Sequence, residues 1–307
     1  MAYSTTQIDE NRGSNSITLP AELSQEVWAK AVDESAIMQL AERINLPGRG
    51  VSTPVITGDV SADWITESTE KHVDKATYSL KTMTPYKLAV IECFSDEFRR
   101  DLPALYAELV RRLPSAIARK FDATVFNGSA PGTGFDVLSA CTTASIDPVA
   151  QGNNTYQQLV GVIETLGAAG YDMTGIAASA QLQAALLGAV DANGVPLFIG
   201  DVTAGNGVGR VLGAKVVKAK QAYKAAIPAV VGFAGDWSQA KYGIVDGINI
   251  SISSEATVND GTNQINLWQR NMFAVRVEAE VGFVATSTSA FLRLTSAVHG
   301  ATGATLS

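Results

Sequence analysis

Two cysteines, two histidines, a glycine-rich loop and scattered acids are the parts of this 307-residue chain that could carry chemistry. Their spacing decides whether they do. His72 and His299 are far apart, and no Cys or His stands at ligand spacing from either. A zinc site, which needs four donors in a tetrahedral array, is therefore not expected. Cys93 and Cys141 sit among apolar or small residues and read as reduced, buried thiols. The stretch Gly205-Asn-Gly207-Val-Gly209 resembles a phosphate cradle, but the third glycine of G-x-G-x-x-G would fall at Arg210. The sequence holds no Walker lysine and no G-x-S-x-G elbow. Asp236 and Asp246 each flank an expected strand turn, where Asp is common, and His72 reads as solvated. No catalytic set assembles, and no cofactor or metal is expected.

Composition narrows the class. The chain is 46% hydrophobic and 17% charged, enough for a large core, and its net charge is −7. A protein that grips nucleic acid normally clusters Lys and Arg, so any DNA nearby is expected to be held loosely and without sequence specificity. The opening MAYSTTQIDENRGSNS lacks the apolar core of a signal peptide, and no run approaches the roughly 20 apolar residues of a membrane span. Synthesis in the cytosol, with no membrane partner, is the expectation.

The elements that would position any site come next. Residues 1–16 are polar and read as an arm. Leu23, Val27, Val32, Ile37, Leu40 and Ile44 predict a helix from Ala21 to Ile44, stopped by Pro47-Gly48. Alternation at Val51–Thr57 and Ala76–Lys81 predicts two strands of a long hairpin with a charged middle. Such a projection is unstable alone and calls for a neighbour. A helix starts at Ser95, and a longer one from Pro103 to Phe126 carries Leu105, Leu109, Leu113, Ile117, Phe121 and Val125 at four-residue spacing. Pro114 should kink it. Residues 136–257 read as an α/β unit: helices at Tyr156–Ala169 and Gln181–Leu187, with strands at Gly175–Ala178, Lys215–Ala219, Ala229–Phe233, Tyr242–Val245 and Ile248–Ile252. A long β segment, Ile265–Ala285, and a last strand, Ser289–Leu294, complete an α+β chain.

Five stretches in this order carry a resemblance: Ser61–Glu67, Pro85–Ala89 with Ser95–Phe98, Ala116–Gly128, Asn271–Gly282 and Ala290–Leu294. Together they resemble major capsid proteins of tailed bacteriophages with the Hong Kong 97 fold. The resemblance implies an N-terminal arm at 1–24 and an E-loop hairpin at 49–84. It implies an α/β axial (A) domain at 136–257, and a peripheral (P) domain built from 25–48, 85–135 (with the spine helix) and 258–297. The C-terminal tail is 298–307.

The function implied is a shell of hexamers and pentamers that encloses double-stranded DNA. Assembly is expected in the host bacterial cytoplasm, and the virion capsid is the final location. Because only a short arm precedes the first expected helix, scaffolding is expected from a separate protein or is dispensable; a portal and a decoration protein are the other implied partners. Acids of the hairpin (Asp63, Glu67, Glu70 and Asp74) are expected to meet Arg99, Arg100, Arg111 or Arg112 of a neighbour. The family's type member joins an E-loop lysine to a P-domain asparagine with a glutamate assisting, and the matching positions are Lys71, Asn271 and Glu278. Trp268, Met272 and Phe273 would supply the apolar setting that keeps such a glutamate basic. A plain packing role for Asn271 and Glu278 stays open. Two other readings stay open as well: an encapsulin-type nanocompartment shell, and a soluble α/β hydrolase or ligand-binding protein.

Overall fold

The computed structural model describes residues 16–18, 29–58, 64–65, 77–96, 102–146, 155–187, 209–245, 248–259 and 263–297. In chain order, β1 (Ser16–Thr18) precedes a helical stretch at 29–34, α1 (Ala36–Leu40) and β2 (Glu42–Asn45). Then come β3 (Val51–Gly58), β4 (Thr77–Met83), β5 (Tyr86–Ser95), α2 (Leu102–Asn127), β6 (Thr142–Ser145), α3 (Thr155–Ala168), β7 (Gly175–Ala178) and α4 (Ala180–Leu187). The rest is mostly β: β8 (Arg210–Val211), β9 (Ala214–Lys218), β10 (Ala229–Gly235), β11 (Ala240–Ile244), β12 (Asn249–Ser253), β13 (Thr257–Asn259), β14 (Gln264–Asn266), β15 (Met272–Ala285) and β16 (Phe291–Ser296). These elements group into two compact units. The smaller comprises Met1–Ala31, Lys87–Ile117 and Val245–Val281; the larger comprises Val32–Tyr86, Ala118–Ile244 and Gly282–Ser307.

The larger unit is built on a sheet of order β6-β16-β10-β7-β9-β8. β10 (AVVGFAG) is buried along its whole length, as a central strand covered on both faces must be. Leu159 and Val162 of α3, Leu182 and Leu186 of α4, and Ile176, Val231 and Leu292 of the sheet share one hydrophobic cluster. A Cβ at Gly232 would stand 2.6 Å from Leu182 Cδ2 and 2.7 Å from the Ala177 carbonyl oxygen, so only glycine lets α4 approach this strand. A second core joins Phe121, Phe135 and Phe283, with rings 6.3–6.4 Å apart in edge or tilted contact. β2 lies parallel to β11, and β3 pairs with β4 alone in a two-stranded antiparallel sheet.

In the smaller unit β15 carries β12 antiparallel, with Asn249 opposite Glu278, and β12 in turn carries β1. β5 also pairs with β15. Phe94 of β5 stacks on Phe273 of β15 at 5.6 Å.

Several expectations change. The helix expected over Ala21–Ile44 ends at Leu40, and Ile44 lies in β2, where its β-branched side chain enters a parallel pairing with Gly243. Ser95 closes β5, a ten-residue strand that the sequence reading left out; Asp96 after it enters a 3-10 turn, and the rest of the helix expected there lies outside the described residues. The single β run at Ile265–Ala285 is broken at Trp268–Asn271, where Asn271 takes a left-handed conformation (φ +50). The helix continues through Pro114 without interruption. The expected boundary at 257/258 does not follow the pairing. β16, assigned to the 258–297 segment, lies between β10 and β6 of the α/β sheet, whereas β12 of the 136–257 segment pairs with β15. Cys141 is buried and free, and burial pushes its thiol up to about 11, but Cys93 is half-exposed. Both histidines lie outside the described residues.

Candidate functional site

One polar cluster is built into the core of the larger unit. Asp122 falls on the buried face of α2 beside Phe121 and Val125. Its carboxylate meets the start of α1. The Ser35 hydroxyl donates to Oδ1 at 2.5 Å, the Ala36 N–H donates to Oδ2 at 2.9 Å, and the Ile37 N–H donates to Oδ1 at 3.5 Å. Ser35 Oγ in turn accepts the Met38 N–H at 3.2 Å as the helix N-cap. Burial pushes the Asp122 carboxyl up to about 6, and the three hydrogen bonds pull it partly back. This group fastens helix to helix; it faces no open site.

The root of the β3–β4 hairpin is fixed in the same unit. Met83 is buried against Leu46, in a space opened by Gly243 and Gly282. Lys81 Nζ lies 3.0 Å from Asp136 Oδ2, which also accepts the Ala285 N–H at 3.0 Å. The Thr84 N–H donates to the Gly134 carbonyl at 2.8 Å, and the Tyr86 hydroxyl donates to the Thr133 carbonyl at 2.8 Å. Gly134 has φ +83, and a Cβ there would fall 2.4 Å from Thr84 Oγ1. Farther out, Ser79 and Leu80 are exposed. The described root of the hairpin is therefore anchored in this unit, and Ser79 and Leu80 beyond it are not covered by it.

In the smaller unit charges gather on β5 and β15. Lys87 Nζ lies 3.8 Å from Glu278 and 3.7 Å from Glu280, and Arg276 Nε lies 3.3 Å from Glu278. Asn271 ends the Trp268–Arg270 turn, and its carbonyl accepts the Asp96 N–H at 2.9 Å. Asn271 directly precedes β15, and Glu278 lies within it. The apolar setting expected for Glu278 is not what surrounds it: its near neighbours are Lys87 and Arg276, Phe273 faces the buried side, and Trp268 is 73% exposed. Arg112 pairs within its own chain, 3.5 Å from Glu92. Asp63, Glu67, Glu70, Lys71, Asp74, Arg99 and Arg100 lie outside the described residues, as does the side chain of Arg111. Asp122 was missed as a site residue, although an acid spaced i+4 from Ala118 and i−3 from Val125 signals a buried polar contact.

Among the described residues no cluster of His, Cys, Asp and Glu could hold a metal, and no helix is long and apolar enough to cross a membrane. The Phage capsid family matches residues 15–296. The chain is 33% identical over 292 residues to the "Probable major capsid protein gp17" of Mycobacterium phage L5, covering 90% of this chain and 89% of that protein. The protein of the same description from Mycobacterium phage D29 is 31% identical over 292 residues, covering 92% and 91%. A solved structure from Gordonia phage Cozz superposes with a TM-score of 0.67 at 24% identity, covering 96% of this chain and 99% of that one. Nothing in these similarities favours a nanocompartment shell or a hydrolase.

Proposed function

Given that this chain belongs to the phage capsid family, we propose that its copies close as hexamers and pentamers into an icosahedral head around double-stranded DNA. The α+β fold is of the Hong Kong 97 type, and the protein is a major capsid protein, structural rather than enzymatic. It works as a homo-oligomer in the virion shell. A scaffolding protein, a portal, a decoration protein and assembly in the host cytoplasm belong to the finer proposal.

The observation that carries the reading is the β3–β4 hairpin. Among the described residues its two strands pair only with each other, yet they are anchored at the root by Met83 and the Lys81–Asp136 contact. A lone hairpin is marginal in water, so its outer part needs a surface supplied by another copy. The E-loop role of 49–84 follows, together with an arm at 1–24 and the P and A assignments, redrawn to keep β16 with the A-domain sheet. Asp63, Glu67, Glu70 and Asp74 are proposed to reach Arg99, Arg100, Arg111 and Arg112 of a neighbour. The Arg112–Glu92 pair is solvent-exposed on both sides, so exchanging partners there costs little.

The test is expression with the co-encoded scaffolding protein, followed by electron microscopy. Closed shells with five-fold and six-fold rings are expected; a chain that stays monomeric under those conditions overturns the proposal.

The same particles test the crosslink. A neutral Lys71 amine would attack the Asn271 side-chain carbonyl while Glu278 takes the amine proton and passes it to the departing amide nitrogen, so that a new amide forms and ammonia leaves. Boiled in denaturant, crosslinked shells give a ladder of multimers that Lys71→Arg removes. A single monomer band from mature heads leaves Asn271 and Glu278 with a packing role alone.

A further inference from the structure

The chain carries 23 basic and 30 acidic residues, yet its charge is not evenly spread. From Gly209 to Pro228 there is no acid and there are five cations: Arg210, Lys215, Lys218, Lys220 and Lys224. All five are exposed. Among the described residues none has a carboxylate partner; the hydrogen bond from Lys215 Nζ to the Gln39 carbonyl (3.2 Å) leaves its charge uncompensated.

The fold sharpens this. β8 and β9 form one edge of the larger unit's sheet, and their antiparallel register sets Arg210 directly opposite Lys215. Like charges facing across a ladder repel and destabilise the pair unless an anion lies between them. Lys218, three residues along, projects to the other face of the same strand, and Lys220 and Lys224 follow in the turn beyond. β9 lies between β7 and the two-residue edge strand β8, so the cations of both strands stand together at this end of the sheet. Five residues of β9 span about 16 Å at ~3.3 Å each, a length that suits a repeating polyanion. An interface between copies would instead interleave signs to fix its register.

We propose that this β8–β9 edge is a contact stripe for the phosphate backbone of the enclosed duplex. The inference rests on the proposed DNA-filled head and names the part of the shell that touches its content. Contact would be local and sequence-independent, because only charge and spacing are offered. The remaining chain, with 18 basic against 30 acidic residues, limits it to a weak hold.

The test uses the unassembled soluble protein and a 30-base-pair duplex, with affinity followed by fluorescence anisotropy from 50 to 200 mM salt. Three to five phosphate contacts predict a loss of affinity of roughly 40- to 500-fold over that range. The triple variant R210Q/K215Q/K218Q should bind at least about tenfold more weakly at 50 mM salt, with a salt slope flatter by up to ~2.7. The charge-preserving R210K/K215R should match the wild-type protein, which separates charge from any effect on folding. Absence of binding by the wild-type chain at 50 mM salt overturns the proposal, as does an unchanged slope in the triple variant. A triple variant that keeps its duplex affinity but no longer forms particles makes the stripe a contact between copies, and also overturns it. Failure of the wild-type chain to form shells is read separately, by microscopy, and bears on the capsid reading instead.

Discussion

A carboxylate buried at the start of a helix is a cost that the fold accepts for a fixed junction, and Asp122 shows how that cost depends on pH. Its carboxyl is pushed from an ordinary 3.8 up to about 6 because burial disfavours the charged form. The folded state therefore binds the proton more tightly than the unfolded chain does. The stabilisation is fully present below about pH 4 and is lost as pH rises to about 6, amounting to roughly 3 kcal/mol at ~1.4 kcal/mol per pH unit. Urea unfolding of the unassembled wild-type chain should lose about 2 kcal/mol of that relative to Asp122→Asn between pH 4 and 6, and the rest outside this window. The variant carries a constant offset, since its amide N–H would face the Ala36 N–H. Parallel curves for the two proteins would refute the assignment. At Asn271 the backbone itself is the constraint: φ is +50, where a side chain other than Asn or Gly costs about 1–2 kcal/mol. Asn271→Ala should lower stability by about 1 kcal/mol and Asn271→Gly should not, as measured by thermal unfolding. Both remove the amide that a Lys71 crosslink would need.

Elements were legible where periodicity and burial agree. Gly175–Ala178 is a strand as expected, and α3, α4 and the hairpin strands fall within one or two residues of their expected bounds, because the helices each bury one face, Gly175–Ala178 is buried throughout, and the hairpin strands alternate in sequence. β5 was missed because it is half-exposed on both faces, so YKLAVIECFS shows no alternation. Ile44 was drawn into a helix by its four-residue spacing from Leu40, and only the long-range pairing with β11 makes it a strand residue. The proposed pairing of the hairpin acids with a neighbour's arginines would act between copies, which no local pattern expresses. The hairpin root offers a direct test. Met83→Ala should cost about 2–4 kcal/mol, because Met83 fills the space over Leu46 that two glycines leave open. Gly282→Ala puts a Cβ 2.8 Å from Leu46 Cδ2 and 2.9 Å from Met83 Cγ, so it should cost about 1–3 kcal/mol. In the Met83→Ala background that second cost should shrink, because the new methyl occupies vacated volume. Additive costs in the double-mutant cycle would deny the contact.

For the whole molecule the question is where stability ends and assembly begins. Each unit has its own strands and packing, whereas among the described residues β3 and β4 pair only with each other. Folding should then be indifferent to the outer hairpin, and shell closure should depend on it. Weak contacts worth ~0–1 kcal/mol each do little in one pair of copies, but a closed shell repeats them, and closure makes each later contact intramolecular. Gly58 and Thr77 face one another at the end of the described ladder. Replacing 59–76 by an Asn-Gly turn, the two-residue connection that suits antiparallel strands, preserves that register. The shortened chain should unfold within about 0.5 kcal/mol of the wild-type protein and stay soluble. By analytical ultracentrifugation and electron microscopy, under conditions in which the wild-type chain forms shells, it should form no closed particles. Wild-type yields of shells from the shortened chain would place the decisive contacts elsewhere, while a large loss of monomer stability would mean that the hairpin folds back on its own subunit instead of reaching its neighbour.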